Sequence, residues 1–418
     1  MVRFILLFSL FPALVLAADS LPAPERLTLA GAVDWARSHN RDIQVARRAV
    51  EAAESGMDVA SGRPNPTLSL NSTSINLGSG VGSGSLRDKQ VDSVLRLDQP
   101  FERGNKRELR LAQAGASLEA ARADLADAQR QQLLAVRLAY WDLHLAADRV
   151  RLTRDGADLM RTTLAKNELR LKAGDIAPAD LARIRVDALR AETDARAAIT
   201  DLKRARAALA ALLAQEPVAD RLRASDDWPV PAAPAAMPSS ALHERADVRA
   251  ATARVEAAAQ GKALAESLRT RDVTVGVQFE HYPPDARHTV GFGVSIPLFT
   301  GYDYGGEIKR AWSDWGVAQE ALERVKSGAA AEVDRLQEEA AGAADRARLY
   351  RESILPSAQK SAAAVELAYT HGAAGVLDLL DARRTLRATE GDAAAALADY
   401  AKAMASLDAA RQADIPMP

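Results

Sequence analysis

Apolar side chains recur with a period of seven along two long stretches of the chain. In the first stretch, about residues 104–173, leucine recurs at steps of seven over 111–125 and again over 138–159. The second stretch covers about residues 301–371, and Pro356 is expected to kink its far end. A sustained seven-residue period predicts helices that pack as left-handed coiled coils. About 70 residues at 1.5 Å each give a helix of about 105 Å.

Four shorter segments alternate apolar and polar residues with a period of two. They cover about residues 67–77, 91–101, 273–282 and 289–299. The alternation predicts β-strands paired in two hairpins. Strands of about ten residues match the length of a tilted strand crossing a bilayer, although soluble hairpins can show the same pattern.

The chain is an internal duplication of one structural unit. The segment NRDIQVARRAVEAAESG from Asn40 aligns with RADVRAATARVEAAAQG from Arg245. Further on, GDIAPADLARIRVDALRAETDA from Gly174 aligns with GAAGVLDLLDARRTLRATEGDA from Gly372. Alanine-rich composition alone is not expected to give two such matches in the same order at nearly equal offsets. Each half therefore reads as helix, hairpin, long helix, tight turn and helix, and the first helix is expected over about residues 30–62.

These patterns also set the domain limits. Residues 1–17 have the features of a signal peptide, because Arg3 precedes an apolar run too short to span a membrane, and small residues follow. The remaining chain is expected to contain a first repeat at 18–215, an equatorial linker at 216–240, a second repeat at 241–410 and a C-terminal tail at 411–418.

Composition excludes several functional classes. The 418 residues include no cysteine, so disulfides, thiolate metal sites, a cysteine nucleophile and a lipid anchor on cysteine are excluded. The formal net charge of −2 argues against nucleic acid as the main partner. Since no catalytic constellation, nucleophile elbow or phosphate loop is present, we predict that the protein is not an enzyme.

No cofactor or metal site is predicted. The six histidines are scattered without ligand spacing: His39, His144, His243, His281, His288 and His371. His281 and His288 flank the second hairpin tip and could approach one another, although exposed loop histidines are the more common case. Aromatic residues around this hairpin fit a membrane-interface girdle or ordinary strand packing equally well: Phe279, Tyr282, Phe292, Phe299, Tyr302 and Tyr304.

Over essentially its whole mature length, the chain resembles the TolC family of outer-membrane efflux channels. The most specific pieces are RPNPTL from Arg63, QPFERGNKRELR from Gln99, IPLFTGYDYGGEI from Ile296, and the turns LRLKAGDIAPADL and LAYTHGAAGVLDLLDA. The QPFERGNKR element is most similar to the CzcC-like branch of heavy-metal RND systems. The resemblance implies a mainly α protein with a transmembrane β part. Four strands from each protomer of a homotrimer would form a 12-stranded β-barrel, continued by an α-helical coiled-coil barrel.

The resemblance also implies function, location and partners. Such proteins are outer-membrane exit ducts of tripartite efflux systems, with a helical tunnel that crosses the periplasm. They dock onto a periplasmic adaptor and an inner-membrane RND transporter, and the CzcC-like branch exports heavy-metal cations. A channel for drugs or type I secretion is an alternative. From a different class, a soluble periplasmic coiled-coil adaptor or scaffold would also contain long helices.

Gate residues follow from the family pattern position by position. Asp378 and Asp381 match an aspartate pair just after the last tight turn, and Tyr369 matches a tyrosine that holds the closed state. The i, i+3 spacing puts both carboxylates on one helix face, where three protomers would ring the axis and attract cations. The alternative is that the carboxylates only cap the helix and interact with its positive end.

The first half keeps part of this gate. Asp180 occupies the position of Asp378, and Arg183 stands where the second half has Asp381. Gly174 and Gly372 are the turn glycines, near which an opening motion is expected to hinge. The family's latch arginine is replaced by Ala374, so its salt bridge is not expected, and Arg183 is a candidate to contribute instead.

Overall fold

The computed structural model describes residues 26–75, 91–235, 244–282 and 286–411. The predicted signal peptide, the first hairpin tip, part of the linker and nearly all of the tail lie outside these ranges. Within them the helices are α1 (Leu29–His39), α2 (Arg41–Ser61), α3 (Lys106–Lys172), α4 (Pro178–Leu212), α5 (Ala246–Ser267), α6 (Gly305–Leu349), α7 (Leu355–Thr370) and α8 (Val376–Arg411). The strands are β1 (Thr67–Thr73), β2 (Asp92–Phe101), β3 (Val273–Tyr282) and β4 (Ala286–Ser295).

Both predicted long helices are present. Helix α3 has 67 residues, which makes it about 100 Å long at 1.5 Å per residue. The second long track consists of α6, a π-helical turn at Tyr350–Ile354 and α7. Pro356 lacks an amide hydrogen and cannot continue the α-helical ladder, so the irregular turn lies where the sequence predicted a kink. Across the described residues, no helix is both long enough and apolar enough to span a membrane.

The prediction of a single helix over residues 30–62 is wrong, because the helix is interrupted at Asn40. This residue is extended, with a ψ of 129°, and its side chain accepts hydrogen bonds from the amides of Asp42 and Ile43 at 3.0 and 3.1 Å. An asparagine in this role starts a new helix. The apolar pattern continues across the break, so periodicity alone does not reveal it.

The four strands form one antiparallel sheet in the order β1-β2-β3-β4, in which pairing of β2 with β3 joins the two repeats. Strand β4 spans Ala286–Ser295 rather than about 289–299, and Pro297 lies just beyond its end. One face of the sheet is an exposed apolar surface, made by Leu68, Leu70, Leu95, Leu97, Val275, Val277, Phe279, Val290, Phe292 and Val294.

The largest apolar core lies around the middle of α3. Tyr140, Trp141 and Leu143 pack there against Leu27 and against the segment that follows α4. Burial, together with a hydrogen bond to Asp226, raises the pKa of the Tyr140 hydroxyl to about 12. This core ties the segment after α4 to the long helix.

In both repeats, the start of one short helix meets the end of another. In the first, Asn40 Nδ2 donates to the Leu212 carbonyl at 2.9 Å, which joins the start of α2 to the end of α4. In the second, the aligned Arg245 donates from Nη1 to the Ala410 carbonyl at 3.2 Å, which joins α5 to α8. Each pair of stacked short helices thus runs alongside a long track.

Candidate functional site

The two tight turns that end the long tracks have the same backbone geometry. Gly174 and Gly372 have φ values of 82° and 75°. After each glycine, the next amide donates to a carbonyl five residues back, from Asp175 to Arg170 at 2.9 Å and from Ala373 to Ala368 at 2.8 Å. This is a Schellman motif, in which a left-handed glycine ends the helix. A Cβ would meet nothing within 4 Å at either glycine, so the backbone angle alone requires glycine there.

Tyr369 lies in the last turn of α7 and contacts the other repeat. Its hydroxyl oxygen accepts a hydrogen bond from Arg170 Nη1 at 2.9 Å. Arg170 lies in the last turn of α3, so the contact links the ends of the two long tracks. The sequence pattern indicated Tyr369 but not Arg170, because Arg170 lies in the first turn segment at the position of Ala368, where the second turn has no charged residue.

Asp378 and Asp381 lie in the first two turns of α8, and both are exposed. The Asp378 carboxylate accepts a hydrogen bond from the Gly375 amide at 3.0 Å, while the Gly375 carbonyl accepts the first helical bond of α8. Asp378 therefore acts as the reciprocal partner in the helix cap. Within the described part of the chain, no hydrogen bond or ion pair ties down the Asp381 carboxylate.

The first turns of α4 and α8 face a shared groove of about 560 Å³. The structure brings Arg183 and Asp381 together here, on opposite sides of the groove. Asp180 does not line this groove and lies 3.8 Å from Arg183, measured from carboxylate oxygen to guanidinium nitrogen. An ion pair between Arg384 and Asp187 crosses from α8 to α4, so the two repeats are joined by opposite charges beside the aspartate pair.

A second kind of ion pair occurs once in each repeat. Arg185 on α4 pairs with Glu168 on α3 at 3.1 Å, and Arg383 on α8 pairs with Glu366 on α7 at 2.7 Å. These pairs occupy equivalent positions in the two repeats. Each joins the helix after a tight turn to the helix before that turn. The aligned arginines were visible in the sequence, but the partners lie outside the aligned segment.

Two further charged groups lie between α3 and α8, away from the turns. Burial and the like charge of Arg383 lower the pKa of Arg387, whose side chain lies against Gly156. A Cβ on Gly156 would lie 2.8 Å from Arg387 Cδ and from Nη1. Burial raises the pKa of Glu390, despite the nearby guanidinium groups of Arg151 and Arg387.

The histidines do not form a metal centre in the part of the chain that the structure describes. The rings of His281 and His288 approach to 5.5 Å between centroids, and Phe279 stacks on His288. No group of three or more His, Asp or Glu side chains among the described residues is placed to hold a metal ion. His371 in the second turn is exposed, and His243 lies outside the described ranges.

The chain is similar to known proteins in sequence and in fold. A family model described as outer membrane efflux protein matches residues 32–215 and 237–411. The cobalt-zinc-cadmium resistance protein CzcC of Cupriavidus metallidurans is 25% identical over 362 residues, which cover 86% of this chain and 84% of that protein.

Solved structures share the fold at lower identity. A membrane protein from Pseudomonas aeruginosa superposes with a TM-score of 0.78 at 18% identity, covering 92% of this chain and 93% of that one. CusC superposes with a TM-score of 0.76 at 18% identity, covering 92% and 91%. The order of helices and strands is therefore shared with these two solved structures.

Proposed function

Because the chain belongs to the outer membrane efflux protein family, we propose that it is the exit duct of a tripartite system that exports divalent heavy-metal cations. In this system the duct receives its cargo from an inner-membrane RND transporter through a periplasmic adaptor. The protein carries out no covalent chemistry, and the energy for transport comes from the inner-membrane partner.

The state of the sheet is the observation that carries this proposal. In the described chain, β1 and β4 each pair on one side only, and one whole face of the sheet exposes apolar side chains. Phe292 on this face is 82% exposed. Free strand edges and an apolar face are unfavourable in water, but both are satisfied when three copies close a 12-stranded barrel in lipid.

The helical part fits a tunnel that leads away from such a barrel. Helix α3 extends for about 100 Å from the sheet to the first turn. The second track ends at the equivalent turn, and the candidate gate residues gather at this far end. We therefore place the gate at the periplasmic end, where the adaptor and transporter would engage it.

The choice of cargo rests on two observations. CzcC, whose name records cobalt, zinc and cadmium resistance, aligns over most of this chain. Asp378 and Asp381 present two exposed carboxylates on each α8. In a trimer, six such groups around one axis favour the passage of cations over anions.

Growth of a deletion strain tests this function. The strain should become sensitive to one or more of Co, Zn, Cd, Ni, Cu and Ag, and the wild-type gene should restore growth while the protein fractionates with the outer membrane. If the deletion strain becomes sensitive to drugs but to none of these metals, and the wild-type gene restores growth only in the presence of drugs, metal export would be contradicted. Recovery of the protein in the soluble periplasmic fraction would contradict the exit duct itself and favour a soluble adaptor or scaffold.

A further inference from the structure

The second face of the sheet is polar, in contrast to the exposed apolar face. The strand register places Arg96 of β2 opposite Gln278 of β3, and Glu280 of β3 opposite Thr289 of β4. Asp98 lies two residues after Arg96 on the same face. These side chains come from both repeats, because β2 belongs to the first and β3 to the second.

A continuous chain of hydrogen bonds joins these polar groups. Arg96 Nε donates to the two carboxylate oxygens of Asp98 at 2.7 and 2.9 Å, and Nη1 donates to Gln278 Oε1 at 3.0 Å. Gln278 Nε2 donates in turn to Glu280, whose other carboxylate oxygen accepts from Thr289 Oγ1 at 3.2 Å. The network crosses from β2 to β4 and holds its members in place.

Three glycines make room for this network. A Cβ on Gly276 would lie 2.9 Å from Arg96 Nη2 and one on Gly293 would lie 3.3 Å from it, while one on Gly291 would lie 3.0 Å from Gln278 Cγ. Glycine is otherwise unfavourable inside a strand, and it marks a place where another group approaches the backbone closely. The arginine and glutamine side chains therefore lie flat against the sheet.

The charges in this network do not cancel. Arg96 and Asp98 form an ion pair, so each neutralises the other. The hydrogen-bond partners of Glu280 are the neutral side chains of Gln278 and Thr289, and among the described residues no cation pairs with this carboxylate. These three charged side chains together carry one net negative charge per chain, located at Glu280.

We propose that the polar face lines the lumen of the barrel, where Glu280 acts as a second cation-selecting residue, independent of Asp378 and Asp381. This inference rests on the proposed channel function. In a barrel with its apolar face toward lipid, the polar face must point inward. Three protomers then place three carboxylates in the wall that pair with no cation among the described residues, and the Arg96–Asp98 pair prevents the arginine from neutralising them.

Reversal potentials in planar bilayers under a KCl gradient test this proposal on the purified mature protein. In an Asp378→Ala, Asp381→Ala background, the channel should still prefer cations. Adding Glu280→Gln should lower the cation-to-anion permeability ratio at least about twofold at about 0.1 M salt. The difference should disappear at about 1 M salt, where the screening length is only about 3 Å.

Two further variants control for damage to the fold. Glu280→Asp keeps the charge and should retain the cation preference, whereas Arg96→Gln leaves Asp98 uncompensated and should increase the preference. Pores of normal conductance in which Glu280→Gln leaves the reversal potential unchanged would overturn the role of Glu280, whatever Arg96→Gln does. Failure of the wild-type protein to form pores would overturn the channel function and this inference with it.

Discussion

Arg170 Nη1 donates a 2.9 Å hydrogen bond to the hydroxyl oxygen of Tyr369, and this contact joins the ends of the two long helical tracks. The resemblance predicts no latch arginine in this chain, since Ala374 stands at the corresponding position. We propose that Arg170 supplies a guanidinium group from the other repeat in its place. We infer that the closed arrangement of the turns depends on this contact within one protomer.

Removing the contact between the turns should favour the open channel. For Tyr369→Phe and Arg170→Ala we expect more frequent opening in planar bilayers, with little change in melting temperature, because exposed polar contacts contribute little to folding. Arg161→Ala is the matched control, since Arg161 is exposed on the same helix and, among the described residues, pairs only with Asp158. Equal opening frequencies in Tyr369→Phe and wild type would exclude a latch at this position.

Gly372→Ala should destabilise the second turn. The left-handed backbone at this residue costs a non-glycine side chain about 1 kcal/mol, although space for the Cβ is available. Gly342→Ala, within α6, should instead stabilise by up to about 1 kcal/mol, because alanine favours helix and nothing lies within 4 Å of its Cβ. Thermal unfolding of both variants checks the opposite signs, and stabilisation by Gly372→Ala would refute the assignment of the turn.

Gly156 and Arg387 should show strong energetic coupling. Gly156→Ala places a methyl group against the arginine side chain, which must shift, so it should be about 1 kcal/mol less favourable than the same change at the open Gly342. In an Arg387→Ala background the same substitution should cost much less, since the opposing atoms are gone. A double-mutant cycle on unfolding free energies measures this, and strictly additive effects would show that the two residues are not in contact.

Arg245 should contribute strongly to stability. Its guanidinium is 1% exposed and donates to Asp247 at 2.8 Å and to Glu332 at 2.9 Å. Arg245→Ala leaves both carboxylates without their partner and should cost about 3 kcal/mol. Arg254→Ala, which breaks an exposed pair with Asp124, is the control and should cost far less. Similar losses in the two variants would contradict the central role of the buried arginine.

Glu390 should make stability depend on pH. Burial raises the pKa of this carboxyl above its usual value of 4.5, so the folded state binds its proton more tightly than the unfolded state does. The contribution of Glu390 to the free energy of unfolding is therefore lost as the pH rises through the pKa of its carboxyl in the folded state. Glu390→Gln should be more stable than wild type at about pH 7.5, and the gain should shrink toward about pH 5. A gain that does not vary with pH would contradict this origin.

The duplicated pattern predicted the overall architecture well. The seven-residue period located α3, the alternating segments located all four strands, and the aligned glycines marked both turns. The break at Asn40 was missed because apolar periodicity continues through it, while the local signal is one side chain that caps the next helix. The predicted end of β4, at about residue 299, lies beyond its observed end at Ser295. The alternation of apolar and polar residues continues past the last residue that pairs with β3.

The contacts within the site were less predictable. Tyr369, Asp378 and Asp381 were predicted from the family motif, whereas the contacts of Arg170 and Asp187 depend on how the two repeats pack against each other. Such pairs join residues about 200 positions apart in the chain. The alignment of the repeats shows which residues are equivalent, and it does not show which residues of one repeat contact the other. The polar network on the sheet has the same origin, since it combines β2 and β3.

The association state of the protein in detergent tests the central claim most directly. Light scattering coupled to size-exclusion chromatography should give the mass of three chains, because within the described residues β1 and β4 each pair on one side only, and three copies that pool their strands would satisfy these edges. A monodisperse single chain that stays in solution after detergent is removed would contradict the channel.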